Sequence, residues 1–156
     1  MATSTVPAAV DALYAILLAS PALSGVTVLD GPLGKNDMSN PDLLVIGWQP
    51  DSEDAVHLEQ DFNAAGARTR DEDFSILCWA ESWTGDRNMS ARRSRVFDLF
   101  AIVEQAIRAS DASPEAPTLN GTVLWAHLTS GTLRQSSSEQ GTRAGLAFTV
   151  TCRSRI

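Results

Sequence analysis

Four stretches of this chain carry residue types that could do chemistry. His57, Glu59 and Asp61 alternate, so on a strand all three would project from one face. An imidazole and two carboxylates are donor types of a zinc site, but such a site needs a further ligand. The remaining histidine, His127, lies far along the chain, so the triplet reads first as a solvated acidic edge. Gly34-Lys35 has the flavour of a phosphate-binding loop. That loop needs a glycine five positions before Gly34 and a Ser or Thr after Lys35. Leu29 and Asn36 stand there, and the segment reads as a turn. Ser136, Ser137 and Ser138 lie in a polar hairpin tip without the strand-to-helix elbow of a hydrolase nucleophile. Asp71, Glu72 and Asp73 form an acidic run. General acid–base work needs two carboxylates held in different environments within a cleft, and a solvated strand entrance or an ion-pairing patch is the simpler reading.

The sequence therefore assigns no catalytic, cofactor-binding or metal-binding residue. It predicts a protein that works by presenting surfaces rather than an enzyme. The alternative from another class is a small enzyme or ligand-binding domain with a cleft beside His57 or His127.

The elements that must carry these surfaces are legible in the pattern. Thr5-Val6-Pro7 opens a helix, with proline tolerated in the first turn. Val10, Leu13, Ile16 and Leu17 follow at helical spacing, and Ser20-Pro21 ends it. Val26–Leu29 and Leu43–Trp48 read as short strands, with a Gly, Pro, Asn and Asp-rich loop from Gly31 to Asp42 between them. Ala55–Arg70 reads as a loop or an irregular edge strand. Asp73–Trp83 is the central strand. Phe74, Ile76, Cys78 and Ala80 share one face and Ser75, Leu77, Trp79, Glu81 and Trp83 the other. Both faces carry large apolar groups, so the second face needs a cover, from this chain or from another subunit. Asp86 or Asn88 caps a helix reaching about Ser110, with Met89, Val96, Leu99, Phe100, Val103 and Ile107 buried. Asn120-Gly121 turns into a hairpin of Val123–Leu133 with Ala144–Cys152, tipped by Gln135–Gly141. On the last strand Gly145, Ala147, Thr149 and Thr151 form a face small enough for close approach of a helix or neighbouring subunit.

The 156 residues support one domain, 1–156. Its expected class is α+β: two main helices on a largely antiparallel sheet of about four to five strands, with a long C-terminal β-hairpin. A net charge of -7 disfavours general binding to nucleic acid. No apolar run is long enough to span a bilayer, and no basic residue precedes the apolar Ala8–Ala19 stretch as a secretory leader would require. Cys78 and Cys152 both fall on apolar strand faces and read as small buried hydrophobes. Of four tryptophans, Trp79 or Trp83 on the second face is a candidate subunit anchor.

The order of these elements resembles the tail terminator (tail-completion) proteins of long-tailed bacteriophages over most of the chain. The cues are the first helix with Val10, Leu13 and Leu17, then Val26-Thr27-Val28-Leu29-Asp30-Gly31-Pro32. After these come Phe74 to Asp86 leading into the Arg-rich helix, and the closing run Gly145 to Cys152. The resemblance implies a virion protein of the tail–neck region, assembled in the host cytoplasm. It implies a homo-hexameric ring that caps the tail tube protein, stops its polymerisation and offers a docking face to head–tail connector proteins. DNA would pass through the lumen without specific binding, and neither a cofactor nor a membrane is implied. Candidate interface residues are Trp79, Trp83, Arg92, Arg93, Arg95, Gln135, Ser137 and Glu139, the arginines meeting acidic residues of a neighbour such as Asp51, Glu53 and Asp54. A head–tail connector or another neck protein is the alternative among structural proteins.

Overall fold

The computed structural model describes residues 2–34, 40–66 and 68–156. Helix α1 is Val6–Leu18, and a short 3₁₀ turn at Pro21–Leu23 leads into strand β1, Thr27–Asp30. Then follow β2 (Asp42–Ile46), β3 (Val56–Phe62), β4 (Arg70–Thr84), α2 (Met89–Ile107), a 3₁₀ turn at Ala116–Thr118, β5 (Trp125–Ser138) and β6 (Gly141–Arg155). The two helices pack on a single six-stranded sheet, an α+β architecture.

The sheet order is β1-β2-β4-β6-β5, with β3 paired to the same edge of β4 as β2. β2 covers the Cys78–Ser82 end of β4 and β3 the Arg70–Ile76 end. Among the described residues only β1 and β2 pair in parallel. The β4–β6 ladder is the backbone of the molecule, running from Asp71↔Arg155 to Thr84↔Thr142.

The helix side of the sheet holds the main core. Phe74, Ile76, Cys78 and Ala80 of β4 and Phe148, Val150 and Cys152 of β6 meet Leu13 and Leu17 of α1 and Leu99, Val103 and Ile107 of α2. The alternation of β4 dictates this, because a period-two pattern puts every second residue on the helix face. Both cysteines are buried free thiols, and burial pushes each up to about 12.

One end of the second face, around Trp79, is covered by the chain itself. Leu43, Val45 and Trp79 form a separate buried cluster, with Leu29, Leu33, Trp48 and Ala147 packed on it. The segment after β2 folds over the sheet. There the Gln49 amide donates to the carbonyls of Cys78 (3.2 Å) and Phe148 (3.0 Å).

Several expectations differ in detail. The stretch 55–70 contains a regular seven-residue strand, β3. Its alternation is faint because most of its residues are exposed on both faces. The hairpin tip is not a loop: β5 and β6 stay paired out to Ser138↔Gly141. α2 stops at Ile107, where Arg108 turns to extended backbone. Part of the small face of β6 is filled by a side chain of β4. Gly145 lies under the Trp79 indole, and a Cβ there would fall inside the ring.

Candidate functional site

The acidic run at 71–73 has a structural role. Glu72 lies on the helix face of β4, fully buried. It accepts hydrogen bonds from the Thr5 backbone N–H (2.8 Å), the Thr5 hydroxyl (2.9 Å) and the Gln60 amide (2.6 Å). Burial alone would raise its pKa, but hydrogen bonds from Ser4, Thr5 and Gln60 outweigh that and hold it below the ordinary glutamate value. Glu72 thus stands in for the missing side-chain cap of α1, whose first-turn amides favour a negative charge. On the opposite face Asp71 accepts from Arg155 (2.8 Å) and Arg153 (3.2 Å). The Arg155 hydrogen bond is the largest cause of its lowered pKa. The acidic run is a cap and an ion-pair patch.

His57 and Glu59 approach to 3.6 Å on the open face of β3, both three-quarters exposed. His127 occupies the same line across the sheet, His57↔Ser75↔Thr151↔His127. Three strand spacings separate the histidines, about 14 Å. Among the described residues no group of three or more His, Cys, Asp or Glu is placed to hold a metal. Lys35 of the Gly34-Lys35 pair, and residues 35–39 of the Gly31–Asp42 loop, lie outside the described residues. The triple serine stands on the exposed end of β5, opposite Arg143, Thr142 and Gly141.

The candidate interface residues divide into two groups. Trp79 is only 4% exposed, inside the second-face cluster. Arg92 and Arg95 turn inward. Arg95 Nε pairs with Asp42 at 2.8 Å, the Ser82 hydroxyl donates to Asp42 at 2.7 Å, and Arg92 donates to Ser82 at 2.7 Å. This network ties the first half of α2 to β2 and β4. Arg92 Nε is buried without a protein partner.

The second group comes together at one end of the molecule. Trp83, 37% exposed, pairs across to Arg143 at the end of the β4–β6 ladder. Arg93 reaches from α2 to Gln135 of β5 at 2.8 Å. Ser137 and Glu139 are exposed at the hairpin tip. Trp83, Arg143, the three serines, Gln140 and Gly141 line a shallow recess of about 290 Å³. Beside it Arg143 Nε stands 3.6 Å from the buried Glu81 carboxylate, whose pKa desolvation raises despite that charge.

A second recess, about 550 Å³, lies between the C-terminal half of α2 and the first half of β5, beside His127, one of the two places where the ligand-binding alternative puts a cleft. Its floor is Phe100, Ile107, Ala126 and Leu128, and Glu104, Arg108 and His127 stand at its border. Glu104 and Arg108 pair with each other at 3.5 Å, and the His127 ring stacks on Trp125 with centroids 5.0 Å apart.

The fold and these surfaces define a small α+β domain with exposed strand edges and one polar, aromatic-bearing tip. No protein-family model matches the chain, and no curated protein matches it in sequence. In fold it is similar to a chain of the solved structure "Virion of native gene transfer agent (GTA) particle". The superposition has a TM-score of 0.60 and covers 97% of this chain and 99% of that one, at 13% identity. At that identity the likeness is one of fold. Among the described residues, no helix is long and apolar enough to cross a membrane.

Proposed function

We propose that the chain is a structural protein of a phage-like virion and that it acts as a tail terminator. Copies form a hexameric ring that docks on the last ring of tail tube protein and covers the surface that would accept another. The other side of the ring meets the head–tail connector proteins. The observation carrying this reading is the near end-to-end fold likeness to a chain of a gene transfer agent virion particle. The acidic run Asp71–Asp73 is absorbed by a helix cap and by ion pairs to Arg153 and Arg155, in keeping with a chain that works through its surfaces.

The tip, with Trp83 on one face, Arg93 and Gln135 on the other and Ser137 and Glu139 at its end, is the proposed contact with the tube or the connector. Its neighbour Arg143 and the aromatic Trp83 are types enriched where interfaces concentrate binding energy. A ring of six copies at -7 each carries about -42. Acidic residues lining the bore would keep DNA from sticking, since like charge opposes phosphate contacts.

The test is capping. Purified protein is mixed with tail tubes and with tail-less heads, and images count which ends carry added density. Density on tubes, with polymerisation stopped, supports the terminator reading. Density on heads alone makes the chain a connector, and density on neither sinks the neck assignment.

A further inference from the structure

The outer edge of β3 leaves main-chain groups without partners. The Leu77 N–H donates to the Ala55 carbonyl at 3.0 Å, and the Asn63 N–H donates to the Thr69 carbonyl at 3.5 Å. In an antiparallel pair such bonds return at every second residue. Ala55 and Asn63 flank β3 in one continuous register, so His57, Glu59 and Asp61 are the residues bonded to β4. Val56, Leu58, Gln60 and Phe62 therefore turn their N–H and C=O groups outward. Among the described residues no strand lies beyond β3 and no other backbone group bonds to these four.

The same parity sorts the side chains. Leu58 is 44% exposed and Phe62 is 70% exposed. Both lie on the helix side, because Leu58 pairs with the core residue Phe74. Between them the Gln60 amide donates to Glu72 and to the Thr3 carbonyl. That anchor fixes the middle of β3, so the edge is a preorganised template.

His57, Glu59 and Asp61 lie on the opposite side. There Glu59↔Asp73 and Asp61↔Asp71 set carboxylates face to face across the strands, a destabilising arrangement. Asp71 and Asp73 are answered from β6 by Arg153 and Arg155. Glu59 meets only His57, at 3.6 Å. Asp61 enters none of the ion pairs among the described residues. The free edge thus carries uncompensated negative charge on one face and uncovered apolar groups on the other.

A strand added here must match both rows. Its residues opposite Leu58 and Phe62 fall on the helix side and are apolar; those opposite Glu59 and Asp61 fall on the other side and are basic. β3 of a second copy does not fit. Paired in full overlap about a two-fold axis, it would set Glu59 opposite Glu59, and charges of this kind are how edge strands resist self-association. We infer that the β3 edge accepts an extended segment of a partner protein in which apolar and basic residues alternate. Main-chain bonds supply the affinity and the alternation selects the partner. The inference uses no ring geometry and stands apart from the tail-terminator reading.

The experiment uses the full chain and a short capped peptide alternating valine with lysine, read by hydrogen exchange. In the free protein the amides of Leu58, Gln60 and Phe62 should exchange faster than those of Glu59 and Asp61. The peptide should slow the first set about tenfold and leave the second unchanged. A peptide alternating valine with glutamate should bind about tenfold more weakly in fluorescence anisotropy, since each charge pair changes sign. Glu59→Lys with Asp61→Lys, both at exposed positions, should reverse that preference. N-methylation of alternate peptide amides should abolish binding for one set and spare it for the other, because successive N–H groups of a strand point to and away from the edge. Binding that treats both methylated sets alike overturns strand addition. Protection at β5 in place of β3, equal binding of the two peptides, or no binding at millimolar peptide overturns the inference. Slowed exchange at Leu58, Gln60 and Phe62 on raising the protein concentration alone means that a second copy takes the edge, and overturns it too.

Discussion

Glu72 shows how one buried charge can organise a fold without being catalytic. It is fully buried yet takes hydrogen bonds from the start of α1, from β3 through Gln60 and from β6 through Ser154. Glu72→Gln keeps the shape but turns an acceptor into a donor facing donors. It should cost about 1–3 kcal/mol at neutral pH, the range for a buried group left mismatched. The folded pKa is lowered, so the wild-type contribution is present above the unfolded glutamate value and is lost as pH falls through the folded one. Urea unfolding at pH 7 and again near pH 3 should therefore show the gap between wild type and variant closing in acid. Gly145 makes the opposite argument, from volume. Gly145→Ala places a methyl inside the Trp79 ring, and overpacking of this kind costs about 1–3 kcal/mol. A lowered thermal midpoint with shifted tryptophan fluorescence is expected; an unchanged midpoint would mean that the indole has room to move.

At the scale of elements, α2 is the piece that joins core to tip. Its N-terminus is capped by Asn88, whose side chain accepts from the Ala91 amide at 3.1 Å. Asp86 in turn accepts from Asn88 N–H at 3.0 Å. Asn88→Ala should lower stability by about 1 kcal/mol in chemical unfolding. The inner arginines of α2 hold it to Asp42 and Ser82, while Arg93 and Phe97 stay on the exposed side. Trp83→Ala and Arg93→Glu touch the tip. Arg93→Glu should leave monomer stability within about 0.5 kcal/mol, as surface changes usually do, Trp83→Ala should cost more because most of the ring is buried, and both should reduce capping of tail tubes. A charge reversal at Arg93 that caps tubes as well as wild type would remove that residue from the contact.

For the whole molecule, the net acidic charge bears on the proposed assembly. An acidic subunit that guides DNA without holding it should show no binding to duplex DNA by fluorescence anisotropy at physiological salt. Binding that weakens steeply with added salt would reveal phosphate contacts and overturn the passive-bore account.

The amino-acid sequence by itself determined the local elements. Helical spacing in α1 and α2, the strict alternation of Phe74 to Ala80 and the Asn120-Gly121 turn are near-neighbour effects, written where they act. The C-terminal hairpin and the burial of both cysteines followed from the same patterning. The tertiary structure decided what covers what. Trp79 and Trp83 stand four residues apart on one face of one strand, and nothing local separates them. The segment after β2 buries the first and leaves the second open, because chain topology places that segment over one end of β4 only. Arg92 and Arg95 looked like surface charges until Asp42, distant in sequence, was brought to them. β3 was faint for a related reason: with most of its residues exposed on both faces, burial imprinted no alternation on its side chains. Its place in the fold comes from backbone pairing to β4, which any sequence without proline can supply.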